Sequence, residues 1–101
     1  MADMEEKLQQ WEETHQGNYR IGRLGYNDRN KRFGILYSDL WVDDGLHCGN
    51  SLVYWESTEN EWVESCIEMD YDGHWYIVGA SCPHGELEYV KVLVPVSRIT
   101  V

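Results

Sequence analysis

Between Phe33 and Val90, a span of 58 residues, the chain has no lysine or arginine, while twelve aspartates or glutamates fall there. A surface of that sign repels phosphate, so direct binding to nucleic acid is not expected. Cysteine is scarce: three residues, an odd number with no C-x-x-C spacing, make no disulfide framework and fit a reducing compartment. No stretch approaches the roughly 18 apolar residues of a membrane span, and residues 1–16 are too polar and acidic for a secretion signal. A cytoplasmic chain with no membrane contact is expected. Phosphate loops, dinucleotide fingerprints, H-E-x-x-H and G-x-S-x-G are all missing. The cysteine–histidine combinations, Cys48 or Cys82 with His74 or His84, lack any orienting motif, and the carboxylate pairs Asp43/Asp44 and Glu64/Glu68 read as a solvated acidic face. The expectation is a protein that is not an enzyme.

What is present is aromatic and apolar enough to fold: 43% hydrophobic residues, with five tryptophans and seven tyrosines, well above the composition of disordered chains. The length of 101 residues suits a single domain, 1–101, burying roughly 60–65% of its unfolded surface. The net charge is −10, and five of the eight basic residues sit together as Arg20, Arg23, Arg29, Lys31 and Arg32. Within so acidic a chain they read as counter-charges rather than as a phosphate site.

Residues 3–16 have the form of a helix. Asp3 can cap it, Glu6 stands at the capping-box position, and Met4, Leu8, Trp11 and His15 make one apolar stripe, expected to pack on the chain's own sheet. Residues 19–96 then read as an antiparallel β-sheet. Tyr19–Tyr26 and Arg32–Tyr37 form a hairpin around a polar turn, Ser38–Gly45 is a loop with an acidic tip, Leu46–Trp55 is an interrupted strand, and Leu87–Val96 is the last strand. The centre is the run Trp62–Gly79, where Asp72-Gly73 lies between two β-rich segments. A two-residue turn there pairs Tyr71 with His74, Met69 with Tyr76 and Ile67 with Val78. It leaves Trp62, Glu64, Cys66, Glu68, Asp70, Trp75 and Ile77 on the outer face. The fold class is mainly β (α+β): one amino-terminal helix, then a small, strongly bent antiparallel sheet or barrel of five to six strands.

The interleaved Leu40, Trp41, Val42, Asp43 and Asp44, with the carboxylate row of the central hairpin, have the composition of a protein-binding surface. Asp39, Trp41, Asp43, Asp44, Glu59, Glu61, Glu64, Glu68, Asp70 and Asp72 are the candidate partner-binding residues. For metal, Cys82-Pro83-His84 with Cys48 and Cys66 makes a conditional Cys₃His zinc set, although the hairpin register points Cys66 and Cys82 to opposite faces.

Gly22, Leu24, Tyr26-Asn27, Arg32-Phe33-Gly34, Leu46-His47-Cys48-Gly49, Trp62, Ile67-Glu68, Trp75-Tyr76-Ile77-Val78-Gly79 and Leu87 to Val92 together resemble a known group. The chain is similar, over about residues 20–93, to small proteins of a family of unknown function found in Firmicutes and on their phages and mobile elements. The resemblance implies a fold and a genomic setting, and no reaction. That setting, together with size and charge like those of anti-CRISPR proteins, implies an inhibitor in the host cytoplasm that occupies a basic surface on a nucleic-acid-handling protein, a Cas9-type nuclease above all. The competing expectation is a small, zinc-stapled adaptor or structural module serving the mobile element.

Overall fold

The computed structural model describes residues 3–99; the outermost residues of the expected 1–101 domain lie outside them. Helix α1 spans Met4–His15. Asp3 caps it, its Oδ1 accepting the Glu6 amide at 2.9 Å, and Gln16 ends it in the left-handed region at φ 50°. Met4, Leu8 and Trp11 of the apolar stripe pack on the sheet against Trp62 and Leu93, with Ile21, Val53 and Trp55 around them. His15 stacks on Trp11. The stripe therefore meets the chain's own strands, which supply the tertiary support a twelve-residue helix needs.

Seven strands follow: β1 Tyr19–Asn27, β2 Arg32–Tyr37, β3 Leu40–Asp43, β4 Ser51–Glu56, β5 Glu61–Met69, β6 Trp75–Ile77 and β7 Lys91–Pro95. They form one antiparallel sheet in the order β3-β2-β1-β7-β4-β5-β6, not closed into a barrel, so β3 and β6 are its edges. The count exceeds the expected five or six because Ser38–Gly45 is not a loop throughout. Ser38 and Asp39 both take positive φ, at 50° and 63°, as a two-residue type I′ turn requires, and Tyr37 pairs with Leu40 to open β3. Conversely, Leu46–Asn50 is loop and strand β4 starts only at Ser51. The last strand is also shorter than expected, since Leu87–Val90 is irregular and only Lys91–Pro95 pairs.

The central hairpin is present with its register shifted by one. Ile67 pairs with Ile77, Glu68 with Tyr76 and Met69 with Trp75. The cause is Asp70. Its Oδ1 accepts the amides of both Asp72 and His74 at 2.9 Å, and its own amide donates to the His74 carbonyl at 2.9 Å. The turn thus closes around three residues, Tyr71 to Gly73, with Gly73 at φ +83°. A one-residue slip moves every side chain of the returning strand to the other face. Trp75 and Ile77, expected outside, are buried beside Ile67, and Val78 is exposed.

The main core lies on the sheet face away from α1. Leu24, Phe33, Ile35, Leu52, Tyr54, Ile67, Val92 and Val94 contribute, with Leu46 and Leu87 from loops. The sheet curls around it. In a flat sheet β6 would stand five strand spacings, about 24 Å, from β2. Instead the Trp75 indole Nε1 donates to the Lys31 carbonyl at 3.2 Å, and the Arg32 guanidinium lies 5.6 Å over the Trp75 ring.

Candidate functional site

The ten carboxylate and tryptophan positions expected to meet a partner divide between the two edges of the sheet. At the β3 edge, Asp39 sits in the β2–β3 turn, 3.9 Å from Arg23, and Trp41 is half exposed. Asp43 is engaged twice: its Oδ2 accepts from Arg98 at 3.1 Å and its Oδ1 from the Gly45 amide at 3.0 Å. Asp44 has an exposed side chain, while its carbonyl accepts from Asn27 and Asn30. At the other edge, Glu59, Glu61, Glu64 and Asp72 are exposed and Glu68 is half-buried.

On β5 the expected parity holds for Glu64 and Glu68. Trp62 pairs with Trp55 and Glu64 with Val53, so Trp62, Glu64, Cys66 and Glu68 share the α1 side of the sheet. Trp62 does not flank them as an exposed ring, because α1 covers it and its indole Nε1 donates to the Met4 carbonyl. Asp70 does not extend the row. Besides its Oδ1 contacts, its Oδ2 lies 2.7 Å from His84 Nδ1 and 3.8 Å from His74 Nδ1. The His74 amide, then the His84 ring, hold this carboxyl below the usual carboxylate range. It is a turn-holding group, and the projecting row reduces to Glu64 and Glu68, about 13 Å apart along the strand.

Part of the basic cluster does act as counter-charge. Arg23 reaches Asp39 and, at 4.0 Å, Glu88, and stacks 5.0 Å over Tyr89; Arg32 donates to the Leu46 carbonyl. Among the described residues no lysine or arginine nitrogen lies within 4.0 Å of a carboxylate of Glu59, Glu61, Glu64, Glu68 or Asp72.

One carboxylate outside the candidate set has a structural part. Glu56 is 5% exposed and accepts from Ser81 Oγ at 2.5 Å, the Ser81 amide at 2.8 Å, Thr58 Oγ1 at 2.9 Å and Tyr54 Oη at 3.2 Å. These donors, the Ser81 hydroxyl foremost, pull its pKa down to about 2, while burial and the facing Glu56 charge push Tyr54 up to about 12. Glu56 ties the segment after β6 to the end of β4.

The four residues of the conditional zinc set go to separate places. Cys48 is exposed in the loop before β4, and Cys66 Sγ stands 3.9 Å from Glu68 Oε2. Cys82 packs against the main core, where burial pushes its thiol up, and His84 turns to Asp70. No three of Cys48, Cys66, Cys82 and His84 bring ligand atoms within 4.8 Å of one another; among the described residues the group that does so is Asp70, Asp72 and His74. The β-alternation that separates Cys66 from the residues facing the core is the reason.

The fold and surface define a mainly β module: one helix on an open, curled antiparallel sheet with an uncompensated acidic edge. The chain belongs to the family described as a domain of unknown function (DUF5348), whose profile matches residues 22–94. The match runs from β1 into β7 and leaves α1 outside. No curated protein and no solved structure matches the chain. No helix among the described residues is long and apolar enough to cross a membrane.

Proposed function

We propose that this protein is a non-enzymatic binding module that docks its acidic β4–β6 edge on a basic surface of a protein partner, and that the partner is a nucleic-acid-handling protein whose groove it occupies. The observation that carries this reading is the set of exposed carboxylates on and beside β5, Glu59, Glu61, Glu64 and Asp72, with no lysine or arginine nitrogen within 4.0 Å of them among the described residues. Like charges that lack internal partners keep their field available to a partner of opposite sign. Such complementarity raises the rate of encounter and fixes orientation. A groove built for phosphates is a large basic surface, and a Cas9-type nuclease is the specific form of the proposal. The chain acts there as an inhibitor by occupancy.

The test is DNA cleavage by guide-loaded nucleases of the Cas9 type, assayed with purified chain and with the double variant Glu64→Lys/Glu68→Lys. The proposal expects inhibition by the parent chain and its loss, by about tenfold or more in inhibitory concentration, in the variant. Inhibition that survives charge reversal removes the acidic edge from the account. No inhibition of any tested nuclease removes the Cas9-type partner.

A further inference from the structure

The β5–β6 turn and the segment after β6 each bring one imidazole to the Asp70 carboxylate. Asp70 Oδ2 faces His84 Nδ1 at 2.7 Å and His74 Nδ1 at 3.8 Å. The ligand atoms of Asp70, Asp72 and His74 lie within 4.8 Å of one another. We propose that Asp70, His74 and His84, with Asp72 beside them, form a binding site for one divalent transition-metal ion of the imidazole-preferring class, zinc being the probe.

Three features of the geometry carry this. First, donors bound to one tetrahedral zinc at about 2.0–2.1 Å stand about 3.4 Å apart, and the observed 2.7 and 3.8 Å bracket that spacing. His84 stands outside the group whose ligand atoms all lie within 4.8 Å, so its ring turns toward His74 when the ion enters. Second, the donors are oriented without it. Asp70 Oδ1 is taken up by two backbone amides, which leaves Oδ2 to point at the imidazoles. The His84 ring lies stacked on Tyr76, centroids 4.2 Å apart at 12°, with its Nδ1 already against Asp70 Oδ2. Such outer contacts are what hold ligands in place in metal sites. Third, the His74 and His84 side chains are about half exposed, so water can complete the coordination. The ion would add to the Gly85 amide–Trp75 carbonyl bond at 2.7 Å and the Asp70–His84 contact in joining the β5–β6 hairpin to the segment after it. Each imidazole would bind through Nδ1, the proton on that nitrogen passing to solvent.

The experiment uses the full chain after chelator treatment. Zinc is titrated by calorimetry, and histidine ring resonances are followed by NMR. The proposal expects about one zinc per chain, and shifts of the His74 and His84 rings with His15 and His47 unmoved. Affinity should fall about tenfold or more in His74→Gln and in His84→Gln. A Cys48→Ser/Cys66→Ser/Cys82→Ser variant should bind as the parent does, and cobalt substituted for zinc should show no thiolate charge-transfer band. The ring shifts are read in the parent chain, so a variant that folds poorly does not decide the outcome. Failure to take up zinc at up to about millimolar concentration, uptake that leaves both rings unmoved, or uptake that is lost with the cysteines overturns the proposal.

Discussion

At the scale of single residues, the carboxylates of this chain divide by what their oxygens meet. Glu56 and Asp70 have theirs filled by protein donors, whereas Glu64 and Glu68 meet no basic partner among the described residues. The consequence for Glu56 is a stability that depends on pH. Its folded pKa of about 2 lies below the ordinary 4.5, so between those values the unfolded chain binds more protons. The stabilisation it gives is complete above the ordinary value and is lost as pH falls toward about 2. Urea unfolding near neutrality and at about pH 3 should show this loss in the parent chain. The replacement Glu56→Ala leaves Ser81, Thr58 and Tyr54 donors without their acceptor and should cost about 2–4 kcal/mol near neutrality, with a flatter acid limb. By contrast Glu64→Lys, at an exposed position, should change stability by only about 0.5 kcal/mol in thermal unfolding, and Glu68→Lys, half-buried beside Cys66, by about 1 kcal/mol. None of this was readable at Glu56 from sequence. It stands where an aromatic strand runs into a polar turn, and its chief partner, Ser81, is 25 residues away.

At the scale of elements, local signals were reliable where one interaction dominates and failed where a side chain reaches around a turn. The capped helix, the β1–β2 hairpin and the alternation along β5 follow from periodicity and capping alone. The β5–β6 register does not, because Asp-Gly is read as a two-residue turn unless a preceding aspartate captures the turn's amides, as Asp70 does. The signal that could have found it is the Asp-x-Asp-Gly-His run, where the first aspartate stands two and four residues before the amides it accepts. Replacing Asp70 with alanine should therefore loosen this hairpin, at about 1–3 kcal/mol, with amide exchange rising first over residues 70–77. Strand β3 was missed for a related reason, since Ser38-Asp39 takes left-handed conformations usually held by glycine or asparagine. A bulge between Ile35 and Leu36 seats β3 against Gly34, where an added Cβ would collide with the Asp43 carbonyl and the Trp41 ring. Gly34→Ala should accordingly displace β3, at about 1–3 kcal/mol, visible as shifted Trp41 indole and Asp43 amide signals.

At the scale of the whole molecule, the acidic charge that composition made plain proves to be organised by the sheet. The sequence leads to the expectation of a partner with a basic surface; it could not show that β3 and β5–β6 lie on different edges, since strand order depends on β7 inserting between β1 and β4. The ten candidate residues are thus two groups, of which the β3 group is partly neutralised by Arg23 and Arg98. Partner binding assigned to the β5 edge should depend on ionic strength, since screening lengths shrink from about 10 Å at 0.1 M to about 3 Å at 1 M salt. The measurement that tests this most directly is the dissociation constant between the purified chain and a guide-loaded Cas9-type nuclease across that range, for the parent and for Glu64→Lys/Glu68→Lys. The account predicts binding that weakens steadily with salt in the parent and is already weak at low salt in the variant. Binding indifferent both to salt and to the reversal of Glu64 and Glu68 would contradict it.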